Sequence, residues 1–389
     1  MATLPVKWFD NRFHGIPILN GTPGSMVAVL DAVLVNGFGN TNAVTISVTN
    51  KKATIILQDG VTFFRKSVVA ISGFSNQAYN SEYQVQETSV GKIVISLDAP
   101  NGTIEATGVV VKYAPLGWFK PFSGVSKAIY KPSKVDAQQW MFYVDDTYAK
   151  YCKVAIMENA TSLENHVNPR PRTYNFIWGK SYYADTNKRT FAIIGDPYCF
   201  YYKTPHLAAS YNGEDGYRPY GVLLFVGEPV RFTNKPDPFG VFLFAKAYVN
   251  DSEMYSYYKD TFDNGYSGSA AIALRTAEGL KTGITIHSAT SGSSATNWTF
   301  FDGNLYYTSE NIVLFFTDNY FYCSDRRVFR IPGAVSVNAF PLYNNFDYII
   351  EAKDNELNRD LIFTRSSQDN NSSSSPNRVT FFDITGPWR

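Results

Sequence analysis

Val44-Thr-Ile-Ser-Val48, a turn at Asn50, then Ala53-Thr-Ile-Ile-Leu57 alternates apolar and polar residues with a period of two. Successive side chains of a strand point to opposite faces, so this alternation predicts two half-buried strands joined by a tight connection. The pattern continues in Ser67-Val-Val-Ala-Ile71, Tyr83-Gln-Val85, Lys92-Ile-Val-Ile-Ser96 and Thr107-Gly-Val-Val-Val-Lys-Tyr113. Asp59-Gly60, Ser72-Gly73, Ser89, Gly91 and Asn101-Gly102 separate the runs, all residue types suited to turns. Six such runs within residues 41–115 predict a small all-β barrel or sandwich.

Outward from this module the period changes. In the N-terminal segment, residues 1–40, Met26, Val29, Leu30, Val33 and Leu34 recur at helical spacing. Thr22 is placed to cap that helix, Pro23 suits its first position, and Asn36-Gly37 supplies a left-handed stop. Downstream, residues 116–389 read as β-rich with long turns. Lys235-Pro-Asp-Pro-Phe239 suggests a division into domains at 116–235 and 236–389, and Ser366–Pro376 is a polar low-complexity loop. The expected fold class is therefore mainly β: a short N-terminal helix, a small barrel or sandwich, then a larger β-rich body.

The 389 residues carry 35 Lys+Arg against 34 Asp+Glu, a formal net charge of +1, which leaves no basic footprint for nucleic acid. No run approaches the length of a membrane-spanning helix; Gly221-Val-Leu-Leu-Phe-Val-Gly227 is among the most apolar and is strand-length. The start of the chain lacks the layout of a signal peptide, and Cys152, Cys199 and Cys323 are sparse and odd in number. Both features fit assembly in a reducing cytosol. Composition departs from the ordinary in its rings, with 27 Tyr, 29 Phe and 6 Trp making 16% of the chain. Many occur as pairs: Phe63-Phe64, Tyr182-Tyr183, Tyr201-Tyr202, Tyr257-Tyr258, Phe300-Phe301, Tyr306-Tyr307, Phe315-Phe316 and Phe381-Phe382. A strand bearing such a pair is apolar on both faces, so it lies between two layers or presents one face to another chain.

Chemistry-bearing patterns are thin. Asp145-Asp146 follows the apolar run Trp140-Met-Phe-Tyr-Val144, where a hydrolase would place an acid or base, with Glu158 or Glu164 as partner. Adjacent strand residues point opposite ways, so the two aspartates do not face one substrate, and a turn role is favoured. His14, His166, His206 and His287 are dispersed without metal-binding spacing, and Asn212-Gly-Glu-Asp-Gly216 has too few carboxylates for a calcium loop. There is no G-x-S-x-G, G-x-G-x-x-G or phosphate-binding loop. Asn168-Pro-Arg-Pro-Arg-Thr-Tyr174 and Asp325-Arg-Arg-Val-Phe-Arg330 are small basic clusters that local ion pairs explain. The expectation is no catalytic residue, no cofactor and no metal.

Several stretches carry a resemblance. Val6-Lys-Trp-Phe-Asp10, Gly15-Ile-Pro-Ile-Leu-Asn-Gly-Thr-Pro-Gly-Ser25 and Leu30-Asp-Ala-Val-Leu-Val-Asn-Gly-Phe-Gly39 open the chain. Val69-Ala-Ile-Ser-Gly73 follows, with Tyr79-Asn80 and Tyr83, then Gly117-Trp-Phe-Lys-Pro-Phe-Ser-Gly124 and Val144-Asp-Asp-Thr147. The chain ends Phe382-Asp-Ile-Thr-Gly-Pro-Trp-Arg389. Together they resemble a family of tailed-bacteriophage virion structural proteins from the tail or baseplate region, whose chains stop at the same Asp-x-Thr-Gly-Pro-Trp-Arg. The resemblance implies a non-enzymatic virion component, made in the bacterial cytoplasm and assembled as an oligomer with copies of itself and other tail or baseplate proteins. It transfers no catalytic residue. Trp8, Phe9, Trp118, Trp388 and Arg389 are the residues expected at such interfaces, Trp and Arg being enriched at binding hot spots. For the terminal Trp388 the alternative is a ring folded back on its own domain. The other functional readings are a fibre- or spike-like protein gripping host-surface glycan or receptor with aromatic side chains, and a polysaccharide depolymerase.

Overall fold

The computed structural model describes residues 6–170 and 176–205, and beyond these 223–230, 241–247, 267–268, 271–273, 284–287, 298–301, 304–307, 316–323, 328–337, 350–354, 359–367 and 378–388. The chain is mainly β, and all its described strand pairs are antiparallel.

It begins with β1 (Lys7–Asp10) and α1 (Ser25–Leu30), which runs on without a break as a π-helical turn over Asp31–Asn36. Met26, Val29, Leu30, Val33 and Leu34 are all buried, and Gly37 stops the helix at φ +69°. The predicted cap is different. Thr22 turns back to the side chain of Asn20, Gly24 at φ +83° precedes the first turn, and no local side chain caps it.

The predicted small module is a six-strand barrel. Its strands are β2 (Phe38–Thr49), β3 (Lys52–Leu57), β4 (Val68–Ser72), β5 (Ser81–Ser89), β6 (Lys92–Ser96) and, after the short β7 (Gly102–Ile104), β8 (Val110–Tyr113). The order β3-β6-β5-β4-β8-β2 closes because β2 also pairs with β3, and β7 adds to β2 outside the ring. One long strand serves both neighbours by bending: β2 pairs with β8 over Phe38–Asn42 and with β3 from Ala43 onward. Ile46, Val48, Ala53, Ile55, Val69, Ile71, Val85, Ile93, Ile95 and Val111 fill the interior, as the alternation requires.

The body stacks sheets. The first contains β9 (Trp118–Gly124), β10 (Lys127–Pro132), β11 (Met141–Asp145), β12 (Tyr151–Glu158), β13 (Val167–Arg170) and β14 (Phe176–Gly179). The second contains β1 with β15 (Ala192–Asp196), β16 (Cys199–Lys203), β17 (Leu223–Gly227) and β18 (Phe242–Phe244). Strand β19 (Lys246–Ala247) pairs back to β14, and Ala271–Ala273 pairs with β18. The expected seam at 235–236 is therefore no boundary, since β17 and β18 pair across it and β14 pairs with β19. Nor is 1–40 a separate unit. Its strand β1 is an edge of the second sheet, and its last residues already belong to the barrel.

β16 explains one doubled aromatic. Phe200 and Tyr202 face the first sheet, where Phe200 meets Trp118 at 5.5 Å, Phe142 at 5.9 Å and Trp178 at 5.9 Å between ring centroids. Tyr201 points the other way, to Phe382 at 4.8 Å and Trp388 at 5.8 Å, and its hydroxyl donates to Pro332 O at 2.7 Å. A third sheet, which includes strands over Val328–Val337, Arg359–Ser367 and Arg378–Asp383, supplies that cover. Tyr201-Tyr202 and Phe381-Phe382 are thus buried on both faces by the chain itself. Phe63 is buried and Phe64 half-buried, whereas Tyr183 is exposed. The side chains of the other four pairs lie outside the described residues, as do Asn212–Gly216 and Lys235–Phe239.

Candidate functional site

Among the described residues, an ion pair with both side chains fully buried lies where the helix meets the first sheet. Asp145 ends β11 and Asp146 follows it, and the two side chains point apart. Asp145 accepts from Thr147 N and Oγ1 at 3.2 and 2.7 Å and lies 3.5 Å from the Lys127 ammonium, the expected turn arrangement. Asp146 does something the sequence does not disclose. Its Oδ2 accepts from the backbone N–H of Met26 at 2.8 Å and of Val27 at 3.2 Å, so it caps α1 from 120 residues away. Its Oδ1 contacts the ammonium of Lys180, which follows β14, and neither side chain of the pair reaches solvent. Lys180 also donates to Thr22 O at 2.7 Å. Burial pushes the Asp146 carboxyl up to about 6 from its ordinary 3.8, against the opposing pull of Lys180 and the two N–H donors.

Around the pair the surroundings are closed. Backbone bonds from Gly24 N to Asp146 O and from Asp146 N to Ser126 O fix the loop. The Cys152 thiol is fully buried, and desolvation raises its pKa well above the ordinary value. Tyr130, also raised by burial, donates to Asp31 Oδ1 at 2.9 Å, and Lys120 pairs with Asp31 at 2.6 Å. These contacts lock the π-helical turn to β9 and β10.

The same use of charge recurs at the barrel–body joint. Lys7 is 2% exposed; it pairs with Glu82 of β5 at 2.7 Å and donates to Pro115 O. Burial lowers its pKa despite Glu82. Lys66, in the β3–β4 connection, pairs with Asp360 at 2.6 Å. Between them sits a plug of rings: Trp8 on Phe13 at 4.8 Å, Phe13 on Phe64 at 4.7 Å and on Tyr113 at 4.5 Å, and Phe63 on Tyr113 at 4.5 Å.

The expected interface residues are placed by these joints. Trp8 and Phe9 are 2% and 1% exposed within the plug, and Trp118 is 2% exposed beneath β16. Trp388 is 4% exposed; it donates from Nε1 to Asp383 O at 2.8 Å and covers Gly333. The expectation that these four contact other chains is corrected: apolar rings this large find cover inside their own chain. For Trp388 the folded-back alternative holds. Arg389 lies outside the described residues.

The hydrolase pairing does not assemble either. Asp146 is sealed by Lys180 and the helix, and Glu164 sits in an exposed turn with Ser162. Glu158 is buried. His14 is exposed and His166 half-buried, while the side chains of His206, His287 and Cys323 lie outside the described residues. Among the described residues no group of three His, Cys, Asp or Glu could hold a metal ion, and no helix is long and apolar enough to cross a membrane.

Buried phenols set an alkaline limit. Desolvation raises Tyr143 to about 12 and raises Tyr113 and Tyr130 as well. A group whose folded pKa lies above its unfolded value stabilises the fold below the unfolded pKa and loses that contribution as pH rises through the folded one. Stability is therefore expected to fall between pH 10 and 12. In a tyrosinate-absorbance titration of the folded chain these three phenols should stay protonated through pH 10; their ionisation at the ordinary tyrosine value in the intact fold would refute the assignment. No family model, no curated protein and no solved structure matches the chain.

Proposed function

We propose that the protein is a non-enzymatic structural component of a bacteriophage virion, in the tail or baseplate region, assembled in the host cytoplasm as an oligomer beside other tail proteins. One observation carries this reading: the stretches that resemble virion proteins coincide with the joints of the fold. Val6–Asp10 forms β1 and the ring plug. Gly15 and Gly39 approach so closely that a Cβ on Gly15 would lie 2.7 Å from Gly39 Cα. Gly117 N bonds Leu34 O at the end of the helix, Lys120 of β9 holds Asp31, and Asp146 caps α1. The last stretch seats Trp388. A signature made of joints rather than of exposed acids, bases or nucleophiles is what a scaffold needs.

The contact surface in this reading falls on apolar side chains the fold leaves out, among them Phe119 (59% exposed), Val125 (91%) and Val135 (97%). Gradient-purified particles analysed by mass spectrometry should contain the chain in fixed proportion to the other tail proteins, and light scattering should give the purified chain an oligomeric mass. A monomer that never co-sediments with particles would overturn the proposal.

A further inference from the structure

The Asp146–Lys180 pair has more around it than an ion pair requires. Both side chains are sealed from solvent, two backbone N–H groups converge on one carboxylate oxygen, and a backbone carbonyl holds the amine against the other. We propose that Asp146 and Lys180 condense into an amide, an isopeptide crosslink between the end of β11 and the end of β14.

The reaction balances with no added reagent. Away from water a charged pair is penalised, so the proton passes from the Lys180 ammonium to the Asp146 carboxylate, giving an amine and an acid. The upward shift of the Asp146 carboxyl runs in the same direction. The Nζ lone pair then attacks Cγ, and the C=O electrons move onto Oδ2. Met26 N–H and Val27 N–H already point at that oxygen, in the manner of an oxyanion hole. Thr22 O accepts an N–H from Nζ and orients the nucleophile. As the intermediate collapses the Cγ–Oδ1 bond breaks. Oδ1 leaves as water, with one hydrogen from the acid and one from the amine. Fixed contact in a dry site supplies the high effective concentration that the uncatalysed reaction lacks. Cys152 and Tyr130 are the other ionisable groups that face the pair.

The remaining joints lack this equipment. The Glu82 side chain of the Lys7 pair is 22% exposed, and its Oε2 has no hydrogen-bond donor. In the Lys66–Asp360 pair both side chains are partly in water, at 20% and 30%. These two stay ionic.

The test is the mass of the purified full chain, denatured before measurement, and it does not depend on the virion reading. The intact mass is expected to be one water below the sequence value. Proteolysis should yield one branched species joining the Asp146 and Lys180 peptides, with the Lys7 and Glu82 peptides separate. Lys180→Arg keeps the positive charge but offers no acylable amine, so that chain should show the full sequence mass. Full sequence mass in the folded wild-type protein would overturn the proposal, as would loss of water without the branched peptide. Should Lys180→Arg fail to fold, the wild-type mass and peptide map decide alone.

Discussion

Truncating Trp388 to alanine is expected to cost about 3–5 kcal/mol, the usual range for emptying a large aromatic from a core. The ring lies against Tyr201 and Phe382, and its Nε1 donates to Asp383 O, so removal opens a hole between the middle and third sheets. The socket depends on Gly333, at φ +64°, where a Cβ would stand 1.9 Å from Trp388 Nε1. Gly333→Ala should therefore reproduce most of the Trp388→Ala loss through both backbone strain and eviction of the ring. Calorimetry is the measurement: both variants should melt earlier than the parent, with the third sheet parting first. An unchanged melting profile in Trp388→Ala would mean that the ring is not seated in this socket.

Replacing Lys180 with methionine should be comparably damaging, at about 3–5 kcal/mol, because it strands the buried Asp146 carboxyl with neither its cation nor the amide link to the end of β14. Asp146→Leu combined with Lys180→Met removes the stranded charge, so the double variant should be more stable than Lys180→Met alone. It should still fall short of the parent by at least about 1–3 kcal/mol, since the N–H groups of Met26 and Val27 then have no acceptor and the crosslink is absent as well. Urea midpoints for the three chains give the comparison. A double variant no better than the single one would show that the helix cap, and not the charge pairing, holds this joint.

What could be read in advance follows from how far apart the partners are. The barrel was legible because its strands alternate strictly and their neighbours are mostly close in sequence; β7 escaped because three residues carry no period. The extent of the helix was legible from Met26 to the Asn36-Gly37 stop, but its cap was not, since the acceptor is a carboxylate 120 residues away. Asp145 and Asp146 were rightly set on opposite faces, yet nothing near Asp146 points to Lys180. Tyr201-Tyr202 signalled burial on both sides without saying whose atoms do the burying. Pro332, Phe382 and Trp388 answer that, and each lies more than a hundred positions downstream. The four rings assigned to partner chains were misplaced for the same reason.

The pairing of β1 with β15, which sets Lys7 opposite Gly195, has a bearing on how the chain is made. During synthesis the barrel's residues leave the ribosome as one block and can close at once, because their contacts are local. The backbone of β1 must meanwhile stay unpaired, although the Trp8 and Phe9 rings can already pack on Phe13, Phe38 and Phe64, until about half the polypeptide has emerged. A nascent chain stalled before that point would display a folded barrel with an unpaired leading strand, a natural client for a chaperone waiting at the ribosome exit.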